Sequence, residues 1–258
     1  MPVATLAQVV QIVAVIGSAL VVFKLYTSGL HRQYRLFFLY FLFRIPNSIW
    51  PSLLHNTSDL YFYLWVATEP LTWILQISVV LELYRLVLSR HRGLYTMGRW
   101  AMYTGLFLSV TISMLSLIPK MKNAGAGQSS TMTYYLGAER GVTLGLAIFL
   151  LIMIFFLSRY PVTMSRNLMV HVGVFSVFFF SNYLAWLLRS LFGLVINSEV
   201  SLMVSAVSAI CTFAWFFLLT RKGEEVPATL PIFGRDYEQR ALQQLEALNA
   251  TLLKVSRN

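Results

Sequence analysis

Seven stretches of mostly apolar residues, each about as long as a bilayer-spanning helix, constrain the fold of this chain. A helix crosses the ~30 Å hydrocarbon layer of a membrane with roughly 20 mostly apolar residues. Of the 258 residues, 57% are hydrophobic and 12% are charged, whereas an ordinary soluble domain has about 25% charged residues. This composition excludes a soluble enzyme and a disordered chain, and it predicts an all-α polytopic membrane protein with a seven-helix bundle. The predicted spans cover residues 6–26, 34–54, 61–88, 100–118, 132–157, 167–195 and 200–219.

The basic residues predict the orientation of the bundle. Loops on one side of the predicted membrane contain ten Lys or Arg residues, whereas loops on the other side contain only Lys120 and Lys122. Because cytoplasmic loops carry the excess of Lys and Arg, the N-terminus is predicted outside and the C-terminus inside a plasma (inner) membrane. The same clustering accounts for the net charge of +10 without a nucleic-acid partner. The ten residues are Lys24, Arg32, Arg35, Arg90, Arg92, Arg99, Arg159, Arg166, Arg221 and Lys222.

Two domains are predicted, a seven-helix transmembrane domain over residues 1–220 and a cytosolic linker with an amphipathic helix over 221–258. Apolar residues at alternating spacings of four and three form a heptad stripe within 236–256. The stripe fits a homodimer seam, a contact with a cytosolic partner or with the bundle, or a helix lying on membrane lipid. Its candidate contact residues are Leu245, Leu248, Leu252 and Val255.

Ionisable and amide side chains recur inside the predicted spans, where a charge is costly and usually faces a partner or a wet cavity. At about 100° and ~1.5 Å per residue, carboxylates and guanidiniums of four helices fall in one layer in the outer half of the membrane. Pro46 and Pro70 lie in the same layer, and each frees a backbone carbonyl one turn earlier. The candidate ligand- or ion-binding residues are Arg44, Asn47, Glu69, Gln76, Glu139, Arg140, Asn182 and Arg189.

Three interpretations of this layer stay open. In the first, Arg44 and Arg140 belong to a structural network. Their charges neutralise Glu69 and Glu139. In the second, the layer is a pocket, open to the outside, for a small polar or anionic ligand that arginine holds. In the third, Glu69, Glu139 and His171 relay an ion or a proton.

Two further features lie near the predicted cytoplasmic end of the bundle. His171 is about one turn from that end of its helix, a position that suits a hydrogen-bonded helix-end residue and also a proton-linked one. Glu82 and Arg85 are three residues apart, and this spacing predicts an ion pair within one helix.

Small residues predict close packing of two helices. The fifth span has three glycines four residues apart, and the seventh is rich in serine. Such residues let membrane helices approach closely, so tight helix contact is the favoured interpretation. The residues are Gly137, Gly141 and Gly145 in the fifth span, and Ser201, Ser205, Ser208, Ala209 and Thr212 in the seventh.

The sequence offers no residue set for the cofactor chemistry that is common in membrane proteins. All five lysines lie outside the cores of the spans, which argues against a retinal Schiff base. The four histidines are scattered along the chain, which argues against zinc. With no convincing nucleophile set either, the chain is predicted to be no enzyme, and any other cofactor is unknown.

These observations predict a receptor-like or sensory membrane protein. In helix number and sidedness the chain resembles the seven-helix sensory regions that precede bacterial kinases and cyclases. A ligand in the outer-half layer is expected to bias helix packing, and the C-terminal helix to pass the change to a partner or a second copy. Two other functions stay open: a transporter or channel that uses the same layer, and a structural subunit of a larger membrane complex.

Overall fold

The computed structural model describes residues 3–53, 59–87, 92–115, 128–159, 164–192, 196–225, 227–228, 243 and 246–247. In this part of the chain, seven helices of 19 or more residues coincide with the seven predicted runs. Six agree to within four residues at each end, whereas the fourth begins at Arg92, eight residues before its predicted start. The all-α class is therefore confirmed. The helices are α1 Val3–Thr27, α2 Arg35–Leu53, α3 Asp59–Val87, α4 Arg92–Leu115, α5 Gln128–Arg159, α6 Arg166–Phe192 and α7 Asn197–Leu218.

Four short elements lie at the end of the bundle where α1 and α7 end. A 3-10 turn, Leu30–Arg32, follows Gly29, whose φ of 75° is in the left-handed region that glycine adopts most readily. A four-residue helix, α8 Lys222–Glu225, follows α7. Two-residue strands β1 Met164–Ser165 and β2 Pro227–Ala228 pair antiparallel.

Five of the long helices are long and apolar enough to cross a membrane. The other two, α2 and α4, are not apolar enough over a sufficient length. The helix α2 contains Arg44, Pro46 and Asn47, and α4 has only a shorter apolar stretch, Met102–Ser113. The chain is thus compatible with a multi-pass membrane protein, whereas seven crossings and the outside position of the N-terminus stay predictions. The five segments are Val9–Thr27, Leu60–Val87, Gly137–Phe155, Arg166–Arg189 and Asn197–Leu218.

The helices form a ring that closes where α7 packs along α1. Neighbours in sequence pack together from α1 to α3 and from α4 to α7, while α3 also contacts α5 and α6. The core between α2, α6 and α7 is aromatic and fully buried. Large apolar side chains also cover the outside, which suits a lipid environment. The core rings include Phe37, Phe41, Phe175, Phe179 and Trp215, and the outer ones Phe23, Phe107 and Phe217.

The beginning of α2 is held by a carboxylate of α3. Glu82 accepts hydrogen bonds from the backbone N–H of Leu36 at 3.1 Å and of Phe37 at 3.2 Å. These amides have no partner inside their own helix, and a negative charge near them is favourable. The prediction of a Glu82–Arg85 ion pair is wrong. Arg85 is exposed, and the Glu82 carboxylate instead accepts hydrogen bonds from the backbone of α2.

The helix α5 packs on α4 through the predicted glycines. A Cβ atom built on Gly141 would lie 2.5 Å from the Cα of Val110, and one on Gly145 would lie 2.6 Å from the Oγ of Ser109. Ser109 donates a hydrogen bond to the carbonyl of Gly141 at 2.7 Å. The close contact predicted for this helix is confirmed, and it depends on the missing Cβ atoms.

The C-terminal helix is mostly outside the described residues. Leu245, Leu248, Leu252 and Val255 all lie outside them, so the dimer or partner seam stays a prediction. Of the segment after β2, the structure describes only Gln243, Glu246 and Ala247, which are helical.

The substitution Gly141→Ala is expected to destabilise the bundle. The new methyl group meets the α4 backbone, and overpacking of this kind costs about 1–3 kcal/mol. Thermal unfolding in lipid nanodiscs measures the effect. The matched control is Gly173→Ala in α6, where nothing lies within 4 Å of an added Cβ. Equal midpoints for the two variants would contradict the contact.

Candidate functional site

Two arginines of the predicted layer are held by hydroxyl groups of α7. Arg44 of α2 donates through Nη2 to the Oγ of Ser208 at 2.6 Å. Arg189 of α6 donates through Nη2 to the Oγ of Ser201 at 2.9 Å. Because the two serines are seven residues apart, they share a face of α7 and lie about 10 Å apart along it. One helix face therefore positions both guanidiniums.

Each of these guanidiniums keeps a buried nitrogen that has no hydrogen-bond partner among the described residues. The atoms are Nη1 of Arg44 and Nε of Arg189. The Arg44 guanidinium lies 5.6 Å from the ring centre of Phe41, and that of Arg189 lies 5.4 Å from the ring of Trp186. Aromatic rings attract a cation, but they accept no conventional hydrogen bond in the plane of the guanidinium. Both groups can still donate to a further acceptor.

The two carboxylates of the layer belong to a second group of side chains. Glu139 of α5 lies within electrostatic reach of Glu69 on α3 and of Arg189 on α6. Within the described part of the chain, neither carboxylate forms an ion pair or a hydrogen bond. Arg140 likewise makes neither with a described residue. The ion pairs of the structural-network interpretation are therefore not formed, and Arg44 faces a hydroxyl instead.

The amide side chains of the layer have local partners. Asn47 of α2 lies 3.5 Å from the Oγ1 of Thr72 on α3, and its Oδ1 accepts a hydrogen bond from Trp50 at 2.9 Å. Asn182 donates to the carbonyl of Phe178 in its own helix at 2.7 Å. Gln76 makes no hydrogen bond with any described residue. Asn47 thus links α2 to α3, whereas Asn182 stabilises one turn of α6.

A proline in this layer leaves a backbone carbonyl without its donor within the helix, and a neighbouring helix donates a hydrogen bond to that carbonyl. Pro70 has no N–H, so the carbonyl of Val66, one turn earlier, loses its donor within the helix. The Oη of Tyr135 on α5 donates to that carbonyl at 3.2 Å. The Tyr135 ring packs between Trp65 at 5.2 Å and Trp73 at 5.8 Å. The proline therefore creates the acceptor that joins α3 to α5 beside Glu69 and Glu139.

Removing this hydroxyl group is expected to destabilise the layer. Tyr135→Phe leaves the Val66 carbonyl unsatisfied, which costs about 1–3 kcal/mol when the group is buried. In the Pro70→Ala background the restored N–H at position 70 satisfies the carbonyl, so the same change costs less. A double-mutant cycle on unfolding midpoints measures this coupling. Additive effects of the two substitutions on the unfolding midpoint would contradict the idea that the Tyr135 hydroxyl replaces the missing N–H of Pro70 as the donor to Val66.

His171 lies in an aromatic cluster at the opposite end of the core. It is fully buried, with ring centres 4.4 Å from both Tyr34 and Phe37. Neither of its nitrogens has a hydrogen-bond partner within the described residues, and the same holds for the Nε1 of Trp215. Instead of the hydrogen bond expected near a helix end, the imidazole packs as an aromatic ring. It lies well away from the arginines, on the α8 side of the bundle.

Glu224 of α8 fastens the end of α7 to the bundle. Its carboxylate accepts hydrogen bonds from the Tyr34 Oη at 2.6 Å, the Asn167 Nδ2 at 2.7 Å and the Gln33 Nε2 at 2.7 Å. Burial and the adjacent Glu224 carboxylate raise the pKa of the Tyr34 phenol, which precedes α2, so the phenol stays protonated and donates. Asn167 also donates to the carbonyl of Thr220 at 2.7 Å.

The sequence did not predict this cluster, because residues 221–258 indicate a linker. The sequence feature that could have indicated this cluster is the negative charge of three residues. Glu82, Glu224 and Glu225 are acidic residues at an end of the bundle where the loops are basic. Two of the three turn out to accept hydrogen bonds from other elements.

The substitution Glu224→Ala is expected to loosen the connection after α7. Hydrogen bonds to a charged group contribute about 1.5–3 kcal/mol each, so a loss of at least ~2 kcal/mol is expected, with faster proteolysis beyond residue 220. Thermal unfolding and limited proteolysis measure the two effects. The control is Glu225→Ala, because Glu225 is exposed and has no hydrogen bond within the described chain. Equal effects of the two changes would contradict the role of Glu224.

Comparison with known proteins gives no family for this chain. No protein-family model matches the sequence, and no curated protein or solved structure matches it either. Among the described residues, no group of three or more His, Cys, Asp or Glu side chains is placed to hold a metal ion. The function must therefore be inferred from the geometry of the arginines, the carboxylates and α7.

Proposed function

We propose that this protein is a non-enzymatic receptor-like or sensory protein of the plasma membrane, with seven spans, its N-terminus outside and its C-terminus inside. It binds a small anionic ligand in the outer half of the bundle. Arg44 holds the ligand beside α7, Arg189 adds a second positive charge about 10 Å further along the same helix face, and the C-terminal segment carries the response to a partner or a second copy.

The observation that carries the proposal is the unpartnered Nη1 of Arg44. A guanidinium cannot lose its charge in a protein, and at membrane depth it needs a counter-charge or a wet cavity. Its neighbours are a neutral hydroxyl at 2.6 Å and an aromatic ring at 5.6 Å. An anionic ligand supplies both the missing charge and an acceptor for Nη1. Carboxylate and phosphate match the planar fork of arginine.

The position of α7 supports an output toward the cytoplasm. Ser201 and Ser208 contact the arginines, while the other end of the same helix leads to Glu224 and its hydrogen bonds. A ligand changes the packing only if it binds one arrangement more tightly than another. Contacts through the two serines give it that preference, because they connect the ligand to the helix that enters the α8 cluster.

A panel of small anions tests the binding proposal. Chloride, acetate, succinate, glutamate and phosphate are added at constant ionic strength to the full chain in nanodiscs, and the unfolding midpoint is recorded. A ligand at one hundred times its Kd adds about 2.7 kcal/mol, which is a rise of about 5 °C or more for a chain of this size. The rise is expected in the unmodified protein and is expected to disappear in Arg44→Gln.

The control for this test is Arg85→Gln, which removes an exposed guanidinium outside the layer. This variant is expected to respond to the anion as the unmodified protein does. Midpoints without added anion show whether Arg44→Gln still folds. No response in the unmodified protein, or a response that survives in both Arg44→Gln and Arg189→Gln, would overturn the proposal.

A transporter is the second candidate, and the pair Glu69–Glu139 favours it. Two carboxylates on neighbouring helices within electrostatic reach of each other are typical of proton and cation pathways. Proteoliposomes loaded with a pH-sensitive dye distinguish the two functions. A receptor gives no flux when the identified anion is added outside, whereas a coupled transporter gives a flux that Glu139→Gln abolishes.

A further inference from the structure

A cavity of about 610 Å³ opens at the end of the bundle where α1 and α7 end. The α1–α2 connection forms one side of it, and α8 with the residue before it forms the other. The side chains that matter for a ligand are those of Tyr26, His31, Arg32, Arg221, Glu224 and Glu225. The cavity is large enough for a phosphate group with a short polar substituent.

The basic groups of this cavity have free donor capacity. The guanidiniums of Arg32 and Arg221 are exposed and make no hydrogen bond or ion pair with any described residue. The Nδ1 of His31 is buried and has no hydrogen-bond partner in the described part of the chain, and the His31 ring stacks on Tyr26 at 5.2 Å. Two unpaired guanidiniums beside a polar opening favour an anionic ligand with several oxygen acceptors.

The acidic residues of the cavity form no ion pair with these cations within the described residues. Both carboxylate oxygens of Glu224 already accept hydrogen bonds from neutral groups, those of Tyr34, Asn167 and Gln33. Glu225 is exposed and makes no ion pair within the described residues. The guanidiniums of Arg32 and Arg221 are thus available as donors among the described residues, while Glu224 and Glu225 both keep a negative charge beside them.

The walls beside the cavity are apolar and face outward. On α1, Phe23 and Tyr26 are each 66% exposed, and on the adjacent α7, Phe217 is 68% exposed. Both helices are apolar enough to cross a membrane. A ligand in the cavity that also covers this surface needs a charged head and hydrocarbon chains. Tyrosine at this position is typical of the headgroup level of a membrane.

We propose that this cavity binds the phosphodiester headgroup of an anionic phospholipid. Arg32 and Arg221 donate to the phosphate oxygens, and the acyl chains lie along the outer faces of α1 and α7. Basic pockets at the cytoplasmic ends of membrane helices are suited to such headgroups. This inference does not depend on the ligand proposed for Arg44.

Native mass spectrometry of the full chain in detergent tests the site, with phosphatidylglycerol as the probe and phosphatidylcholine as the neutral comparison. The expected result is preferential binding of phosphatidylglycerol that weakens about tenfold or more in the double variant Arg32→Gln/Arg221→Gln, since each basic residue near an anionic lipid contributes roughly a factor of five. The matched control, Arg85→Gln/Arg166→Gln, removes two exposed guanidiniums that do not line the cavity, and it is expected to change the Kd less than twofold.

A third variant is expected to change the affinity for phosphatidylglycerol in the opposite direction. Glu225→Gln removes the carboxylate of the cavity that makes no hydrogen bond with a described residue, and it is expected to tighten phosphatidylglycerol binding. The assignment is overturned if both double variants weaken binding equally, if phosphatidylcholine binds as tightly, or if Glu225→Gln weakens binding. Stabilisation of the lipid-free protein by inorganic phosphate, lost in Arg32→Gln/Arg221→Gln, would overturn the lipid as the source of the phosphate group.

Discussion

In the proposed seven-span topology, the cost of placing a permanent positive charge at membrane depth is the constraint on which the proposed function depends. A guanidinium in such a position needs acceptors and a counter-charge from the protein or from a ligand. Here α7 supplies one hydroxyl to Arg44 and one to Arg189, and no described carboxylate pairs with Arg44. The bundle thus carries charge that its own side chains compensate only in part.

The carboxylates at the two ends of the bundle differ in their hydrogen-bond partners. At the end near α8, Glu82 caps the beginning of α2, and Glu224 receives three hydrogen bonds. These carboxylates are satisfied by neutral donors, so they stabilise the connections between helices and leave nearby guanidiniums unpaired. In the other half, Glu69, Glu139 and Arg189 lie within electrostatic reach of one another and form no ion pair with a described residue. Carboxylates with several hydrogen bonds are suited to a mechanical connection between helices, and charged groups without such bonds are suited to binding a ligand.

Local rules account for what the sequence could predict. Hydropathy located all seven helices, six of them to within four residues at each end. The spacing of Gly141 and Gly145 predicted a close helix contact, because periodicity and side-chain size act within one helix, but it did not identify α4 as the partner. The acceptors of the arginines could not be predicted in this way. Ser208 meets Arg44 only because α7 returns to the side of α2, and Glu82 meets Leu36 only because α3 lies beside the start of α2. The aromatic surroundings of His171 likewise depend on which helices are neighbours.

The most direct measurement is an electron cryomicroscopy map of the full chain in a lipid nanodisc, inspected beside Arg44. We expect the Arg44 guanidinium to contact Ser208 of α7, with non-protein density of an anion or its bound water next to Nη1. A map in which Arg44 pairs with Glu69 or Glu139, or faces the acyl chains of the lipid, would contradict the proposal.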